Sequence, residues 1–217
     1  MRNNLKDVFN DISDYLISSV LAGLCISIGC IVNLMVGGGT LGAILFTFGL
    51  ITVVHYKYAL YTGTAGFINS FKEFCGLFGI VLLGNWIGCW LTSEAITYAI
   101  PDLTEKANSI VLSRSQVGIW QAMIRGIFCG FLMTTAVNFA RENRWLPLLF
   151  AVPVFILAGF YHSIADCFYI SASDYSFLMS DEDYHIRSLI HNNWIMTIIG
   201  NFIGCNLYRV RRYICSY

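Results

Sequence analysis

Six apolar runs are the feature that most constrains how this chain folds. Each has close to the roughly 17–25 residues that an α-helix needs to cross the hydrocarbon core of a bilayer. The runs lie at about 15–36, 41–68, 72–92, 117–139, 147–171 and 191–208. Because hydrocarbon offers no hydrogen bonds to the backbone, these runs predict an all-α membrane protein with six transmembrane helices.

Composition supports a membrane protein and argues against other classes. Hydrophobic residues make up 57% of the 217 residues and charged residues only 12%, whereas a soluble domain carries about 25% charged residues. The formal net charge of zero argues against a nucleic-acid partner, which favours a basic face. The eight cysteines show no CxxC pair and no metal-ligand spacing, so we expect packing roles for them and no metal or other cofactor.

Lysine and arginine placement predicts the orientation. Eight of these residues fall in segments on one side of the membrane and three on the other; the eight are Arg2, Lys6, Lys72, Arg141, Arg144, Arg209, Arg211 and Arg212. The positive-inside rule then predicts both termini in the cytoplasm, and we expect the bacterial cytoplasmic membrane. Residues 1–14 read as an amphipathic cytoplasmic segment, residues 15–208 as the membrane domain and residues 209–217 as a basic cytoplasmic tail.

A duplicated hexapeptide predicts an internal repeat. Gly-Asn-Trp-Ile-Gly-Cys at 84–89 and Gly-Asn-Phe-Ile-Gly-Cys at 200–205 agree at five of six positions. They fall in the third and sixth predicted spans, which suggests two halves of three helices each. Because each half has an odd number of spans, the two halves are expected to be inverted. The small residues favour close helix packing.

Polar residues interrupt the second span of each half. The second run contains His55, Lys57 and Thr62, and the fifth contains His162 and Asp166. Ionisable groups within a span are expensive, and they are tolerated where a helix breaks around a water-lined cavity. The pattern predicts two interrupted helices and a transport pathway between them.

Four motifs in order carry a resemblance to a known family. They are FGLI…LYTG in the second span, RGIFCG in the fourth, AGFYHSIADCFYI in the fifth and GNFIGC in the sixth. With these motifs the chain resembles the formate–nitrite transporters over about residues 15–208. The resemblance implies an aquaporin-like protomer, a homopentamer with one pore per protomer, and transport of small monovalent anions, formate first, rather than catalysis.

The resemblance also implies roles for individual residues. His162 falls on the family's central histidine and Thr62 on the threonine that faces it. Arg114 falls where the family has a lysine at the outer mouth, and Met133 on an apolar pore-lining position. The two apolar constrictions would be formed by Phe46 with Phe155 on the outer side and by Leu50 with Tyr61 on the inner side.

Three departures from the family pattern change the polarity of the pathway. Gly130 stands where the family has an asparagine, Asp166 where it has an amide, and Lys57 where it has a glycine. Lys57 and Asp166 come from opposite interrupted helices, so we expect them to form an ion pair. A charge swap between them should then restore the folding that either single change loses.

Weak-acid chemistry explains the implied arrangement. A bare carboxylate crosses apolar constrictions at high desolvation cost, whereas its neutral acid loses far less. We therefore expect an anion to collect in a basic vestibule, to be protonated or strongly hydrogen-bonded near His162, and to pass as the acid.

Nitrite and hydrosulfide are alternative substrates, and a small-cation channel is the rival class. An enzyme is not predicted, because the sequence offers neither a nucleophile with its base nor a metal cluster.

Overall fold

The computed structural model describes residues 5–174 and 184–214, which form helices and no strands. The α-helices in this part of the chain are α1 (Leu5–Met35), α2 (Gly39–His55), α3 (Tyr61–Thr64), α4 (Phe71–Gly76), α5 (Leu82–Ala99), α6 (Asp102–Ser115), α7 (Ile119–Arg141), α8 (Leu146–Leu157), α9 (Ser163–Ala172) and α10 (Tyr184–Ile214). A 3₁₀ turn at Ala65–Phe67 follows α3, and a π turn at Leu77–Val81 joins α4 to α5.

Apolar length agrees with the predicted spans. Three continuous helical stretches in the described chain are long and apolar enough to cross a membrane, namely Ile12–Met35, Phe71–Ala99 and Ile119–Arg141. The second and fifth spans each begin with a shorter apolar helix, Gly39–His55 and Leu146–Leu157. Each then breaks and resumes as α3 or α9. The prediction of an all-α membrane protein with interrupted second helices is confirmed.

The predicted sixth span forms helix α10 although it is less apolar than the others. Its polar side chains Asn193, Thr197 and Asn201 are buried and donate hydrogen bonds to backbone carbonyls. The protein therefore satisfies these groups internally, which is the condition for placing them at membrane depth.

Two helices continue past the predicted domain boundaries. Helix α1 runs without a break from Leu5 to Met35, across position 14. Helix α10 likewise continues past 208 to Ile214. The loop predicted after the third span contains α6, whose N-terminal turn has Asp102 and Glu105 and whose last turn has Arg114. These charges suit the helix dipole.

The duplicated hexapeptide lies where two long helices of each half touch. Helix α5 packs on α1, and α10 packs on α7. A Cβ atom on Gly88 would overlap the carbonyl oxygen of Val20, and one on Gly204 would overlap that of Ile127. Glycine is required at both places because backbone meets backbone without room for a side chain.

The asparagine of each hexapeptide holds the broken helix of its own half. Asn85 accepts a hydrogen bond from the backbone N–H of Tyr61 (2.8 Å) and donates to the carbonyl of Ala59 (2.9 Å). Asn201 does the same with the N–H of Ser163 (2.9 Å) and the carbonyl of Tyr161 (2.9 Å). The matched bonds make Tyr61 equivalent to Ser163.

The cysteine of each hexapeptide reaches across to the other half. The Cys89 thiol contacts the carbonyl of Ile164 (3.4 Å), and the Cys205 thiol contacts that of Thr62 (3.3 Å). Under the equivalence given by the asparagines, these two carbonyls are also counterparts. The contacts support the predicted division into two repeats of three spans.

We predict that Gly204→Ala sharply lowers the yield of folded protein, because the new methyl group meets the rigid backbone of α7. Overpacking of this kind costs about 1–3 kcal/mol or more. Gly79→Ala is the matched control, since a Cβ there has open space and alanine favours a helix. Size-exclusion profiles in detergent provide the measurement, and equal recovery of both variants would contradict the packing argument.

We also predict that Asn201→Ala lowers the melting temperature of the purified protein. The change leaves the buried N–H of Ser163 and the buried carbonyl of Tyr161 without their side-chain partner, and each such group costs about 1–3 kcal/mol. Asn192→Ala, on the exposed side of the same helix, is the control. A melting temperature equal to that of the control would show that Asn201 does not hold the break.

Candidate functional site

Both interrupted helices end in the same way before they break. The N–H of Tyr58 donates to the carbonyl of Val53 (2.9 Å), and the N–H of Phe160 donates to that of Phe155 (2.9 Å). The residue before each donor has a left-handed backbone, with φ of 57° at Lys57 and 69° at Gly159. This is the usual glycine C-cap. Lysine at the first site costs about 1 kcal/mol relative to glycine.

The two breaks bring His162 and Thr62 together at the centre of the protein. The His162 Nε2 atom lies 2.9 Å from the Thr62 Oγ1 atom. His162 is 2% exposed and Thr62 is fully buried. The sequence resemblance placed these two residues face to face, and the structure brings them into hydrogen-bond contact.

His162 also caps helix α9, which determines its tautomer. Its Nδ1 atom accepts a hydrogen bond from the backbone N–H of Ala165 (3.2 Å). A nitrogen that accepts carries no proton, so the proton of the neutral ring is on Nε2, directed at Thr62. Protonating Nδ1 would break the helix cap. His162 is therefore built as a positioned hydrogen-bond donor.

Two phenylalanines cover one side of this histidine. The rings of Phe46 and Phe155 meet edge to face at 5.9 Å between centroids, and Phe155 lies 5.8 Å from the His162 ring. Both phenylalanines are buried. The structure thus brings together the pair predicted for the outer constriction, one from α2 and one from α8.

The pair predicted for the inner constriction is arranged differently. Tyr61 is fully buried, its hydroxyl donates to the carbonyl of Ile198 (3.1 Å), and its ring packs on Phe78. Tyr61 therefore contacts α10 and the π turn, and it does not form a pair with Leu50. Leu60 instead joins Leu50 in lining a cleft of about 580 Å³. The pattern missed Leu60, although as the residue that precedes α3 it is the counterpart of His162.

That cleft is basic. Its lining includes Lys57, His55 and Arg141 beside Leu50 and Leu60. We call the side of the protein on which this cleft opens the Lys57 side. The opposite side has a smaller cavity lined by Arg114, Tyr161, Asp166, Tyr169 and Asn193 among others, and we call it the Arg114 side. Thr62 and His162 are sealed from solvent between the two sides.

Asp166 forms its ion pair with Arg114, so the expected pair with Lys57 is wrong. The Arg114 Nη2 atom lies 3.1 Å from the Asp166 Oδ1 atom, and the side chains are 22% and 8% exposed. Lys57 is exposed and lines the other cleft. Helix α6 lies against α9 and supplies Arg114, whereas Lys57 lines the cleft on the other side of Thr62 and His162.

The remaining predicted residues lie on α7. Met133 is 1% exposed and belongs to the apolar core. Gly130 lies against α10, where a Cβ atom would overlap the carbonyl oxygen of Asn201. The missing asparagine therefore has a steric reason, because no side chain fits at that position.

Several buried polar atoms around the centre have no hydrogen-bond partner from the described protein. They include Ser163 Oγ, Arg114 Nε and Asp166 Oδ1, the last held by its ion pair. These atoms give the interior hydrogen-bonding capacity that a purely apolar core lacks. Within the described ranges no group of three His, Cys, Asp or Glu side chains is placed to hold a metal ion.

Comparison with known proteins identifies the fold and the family. A model of the formate/nitrite transporter family matches residues 2–210. A formate-nitrite transporter of Entamoeba histolytica is 26% identical over 214 residues, which cover 86% of this chain and 59% of the relative. An uncharacterized transporter of Bacillus subtilis, YrhG, is 25% identical, covering 92% of this chain and 84% of its own.

Solved structures share the whole fold. A pentameric formate channel with formate bound superposes with a TM-score of 0.81 at 21% identity, covering 94% of this chain and 97% of the channel. An ion channel of the same family gives a TM-score of 0.82 at 18% identity, covering 97% and 92%. With the family model spanning nearly its whole length, this chain belongs to the formate/nitrite transporter family of integral membrane proteins.

Proposed function

We propose that this protein conducts small monovalent anions of weak acids, with formate as the first candidate, through a pore in each protomer of a homopentamer. The observation that carries the proposal is the hydrogen bond between His162 and Thr62, held where two interrupted helices meet. This contact places polar groups at the sealed centre, where a crossing solute would have no water on either side of it. The pentameric formate channel with formate bound supports both the substrate and the assembly.

The apolar barriers beside this bond favour the neutral acid. Phe46 and Phe155 cover the centre on one face, and Leu50 with Leu60 lines the cleft on the other. A bare carboxylate would lose its hydration there, which costs many kcal/mol. Formic acid keeps one acceptor for the Nε2–H of His162 and one O–H to donate. A proton therefore crosses with each anion.

The proton is expected to come with the substrate rather than from His162. The Nδ1 atom of His162 caps α9, so the ring holds a single proton on Nε2 and releases it only at great cost. The N-terminus of α9 favours partial negative charge next to it. His162 and this helix end stabilise the carbonyl oxygens of the solute while it passes.

The charges near the centre favour an anion over a cation. Asp166 would attract cations if it were unpaired, but Arg114 neutralises it at 3.1 Å. The Lys57 side adds Lys57 and Arg141 around the mouth of the cleft. We infer that both vestibules are positive or neutral towards a solute. The same chemistry admits nitrite and hydrosulfide, which are the alternative substrates.

The membrane arrangement follows from the same interpretation. We infer six spans in two inverted repeats, because Asn85 and Asn201 make matching bonds in each half. Both termini are placed in the cytoplasm by the distribution of lysine and arginine, with residues 1–14 at the cytoplasmic face.

We predict that His162→Ala lowers formate uptake into liposomes at least tenfold, and that uptake by the unaltered protein rises with an inward proton gradient. Losing a hydrogen bond to a desolvated polar solute costs about 1.5–3 kcal/mol, and each 1.4 kcal/mol is a factor of ten in rate. Thr62→Val tests the partner, since it removes the hydroxyl and keeps the shape. Stopped-flow uptake of labelled formate provides the rates.

Asn192→Ala is the control, because Asn192 is exposed on α10 and lines neither the cleft on the Lys57 side nor the cavity on the Arg114 side. Its uptake should equal that of the unaltered protein. Flux of nitrite or hydrosulfide without formate flux would reassign the substrate. Flux of ammonium or potassium with no anion flux would overturn the proposal.

A further inference from the structure

On the Arg114 side, two arginine side chains lie next to the ring of Tyr161. The Arg114 Cζ atom lies 3.6 Å from the centroid of the Tyr161 ring, and the Arg125 Cζ atom lies 5.1 Å from it. The two positive charges are therefore no more than about 9 Å apart. Tyr161 directly precedes His162, so both arginines are anchored one residue from the centre of the pathway.

The charge of Arg114 is already balanced. Its guanidinium lies 3.1 Å from the carboxylate of Asp166, which is only 8% exposed. A pair buried to this degree is screened little by solvent, so the two charges cancel for any solute farther away. Arg114 also stacks on Tyr161. The pair is suited to holding Tyr161 in position rather than to attracting anions.

Arg125 has no such counter-charge. Among the described residues no Asp or Glu forms an ion pair with it, and its Nη1 atom donates to the hydroxyl of Tyr161 at 3.1 Å. A guanidinium has five N–H donors, which leaves most of them open to a solute. Arg125 is half-buried, so its field is stronger than that of an arginine in bulk water.

Arg125 is also fixed at the break between α8 and α9. Its carbonyl accepts from the N–H of Tyr161 at 3.4 Å, and its Nη1 atom lies 3.9 Å from the position that a Cβ atom on Gly159 would take. The side-chain position of Gly159 is therefore empty, and the guanidinium of Arg125 lies next to that empty space.

We propose that Arg125 is the residue that attracts the anion to the Arg114 side of the pathway, and that the Arg114–Asp166 pair is a charge-neutral device that positions Tyr161 and the turn before His162. This rests on the proposed function. It differs from the expectation drawn from the resemblance, in which Arg114 gathers the anion. Among Arg114, Asp166 and Arg125, one positive charge is left without a counter-charge, and it belongs to Arg125.

The test compares initial formate uptake by four forms of the full-length protein in liposomes: unaltered, Arg125→Gln, Arg125→Lys and the double variant Arg114→Gln/Asp166→Asn. Uptake is measured at ionic strengths of about 0.01 M and about 1 M, where the Debye length falls from about 30 Å to about 3 Å. Potassium gluconate sets the ionic strength.

We expect Arg125→Gln to lower uptake about tenfold at low salt, through a higher KM with an unchanged maximal rate, and to differ little from the unaltered protein at high salt. Arg125→Lys keeps the charge and should keep the low-salt uptake. The double variant Arg114→Gln/Asp166→Asn keeps the net charge of the protein, so its formate uptake should depend on ionic strength as that of the unaltered protein does.

Three results would overturn the inference. Unchanged low-salt uptake in Arg125→Gln is the first, and equal loss in Arg125→Gln and Arg125→Lys at both salt concentrations, which marks a structural role, is the second. A loss of salt dependence in the double variant instead is the third. Absence of anion flux in the unaltered protein would overturn the proposed function itself, so the two failures are distinguishable.

Discussion

The structure depends on satisfying the backbone where two membrane helices break. A break exposes N–H and C=O groups, and hydrocarbon offers them no partners. Asn85 and Asn201 supply those partners from the long helix of the same half, each with two bonds to the broken segment and a third to the neighbouring long helix. Without these two side chains the polar breaks that carry the candidate site would have no stable place in a bilayer.

The same scaffold occurs twice, yet the two halves put different chemistry at the centre. Leu60 and His162 both precede the short second helix of their half. One gives the centre an apolar wall, and the other gives it a hydrogen-bond donor. Lys57 and Gly159 are likewise equivalent and both have a left-handed backbone, but only the first adds a charge. This asymmetry places one hydrogen-bond donor between apolar side chains, which is the arrangement that the proposed function uses.

Charge at the site follows from pairing rather than from the number of ionisable residues. Asp166 departs from the family amide, and by itself it would repel an anion. Arg114 cancels it across α6 and α9, and the neutral pair then supports the ring of Tyr161. This arrangement leaves Arg125 as the cation at that ring that has no ion pair in the described chain.

Side-chain partners also explain which expectations held. The apolar runs predicted the helices, the duplicated hexapeptide predicted the repeat, and the polar residues within the second and fifth runs predicted the two interruptions, because all three are local properties of a sequence. The contact between Thr62 and His162 and that between Phe46 and Phe155 were expected from the family resemblance that the ordered motifs carry. Tyr61 did not join Leu50, because its hydroxyl found the carbonyl of Ile198, 137 residues away.

The sequence by itself determined the membrane class, the helix breaks and the repeat, since each follows from hydrocarbon thickness and from the cost of unsatisfied backbone groups. Only the tertiary structure decided that Asp166 pairs with Arg114 and not with Lys57, and that Gly130 is pressed against α10. Those outcomes depend on which helices lie side by side. Ion pairs and steric contacts act over a few ångströms. The sequence pattern does not show which residues, far apart in the chain, come within that distance of one another in the folded protein.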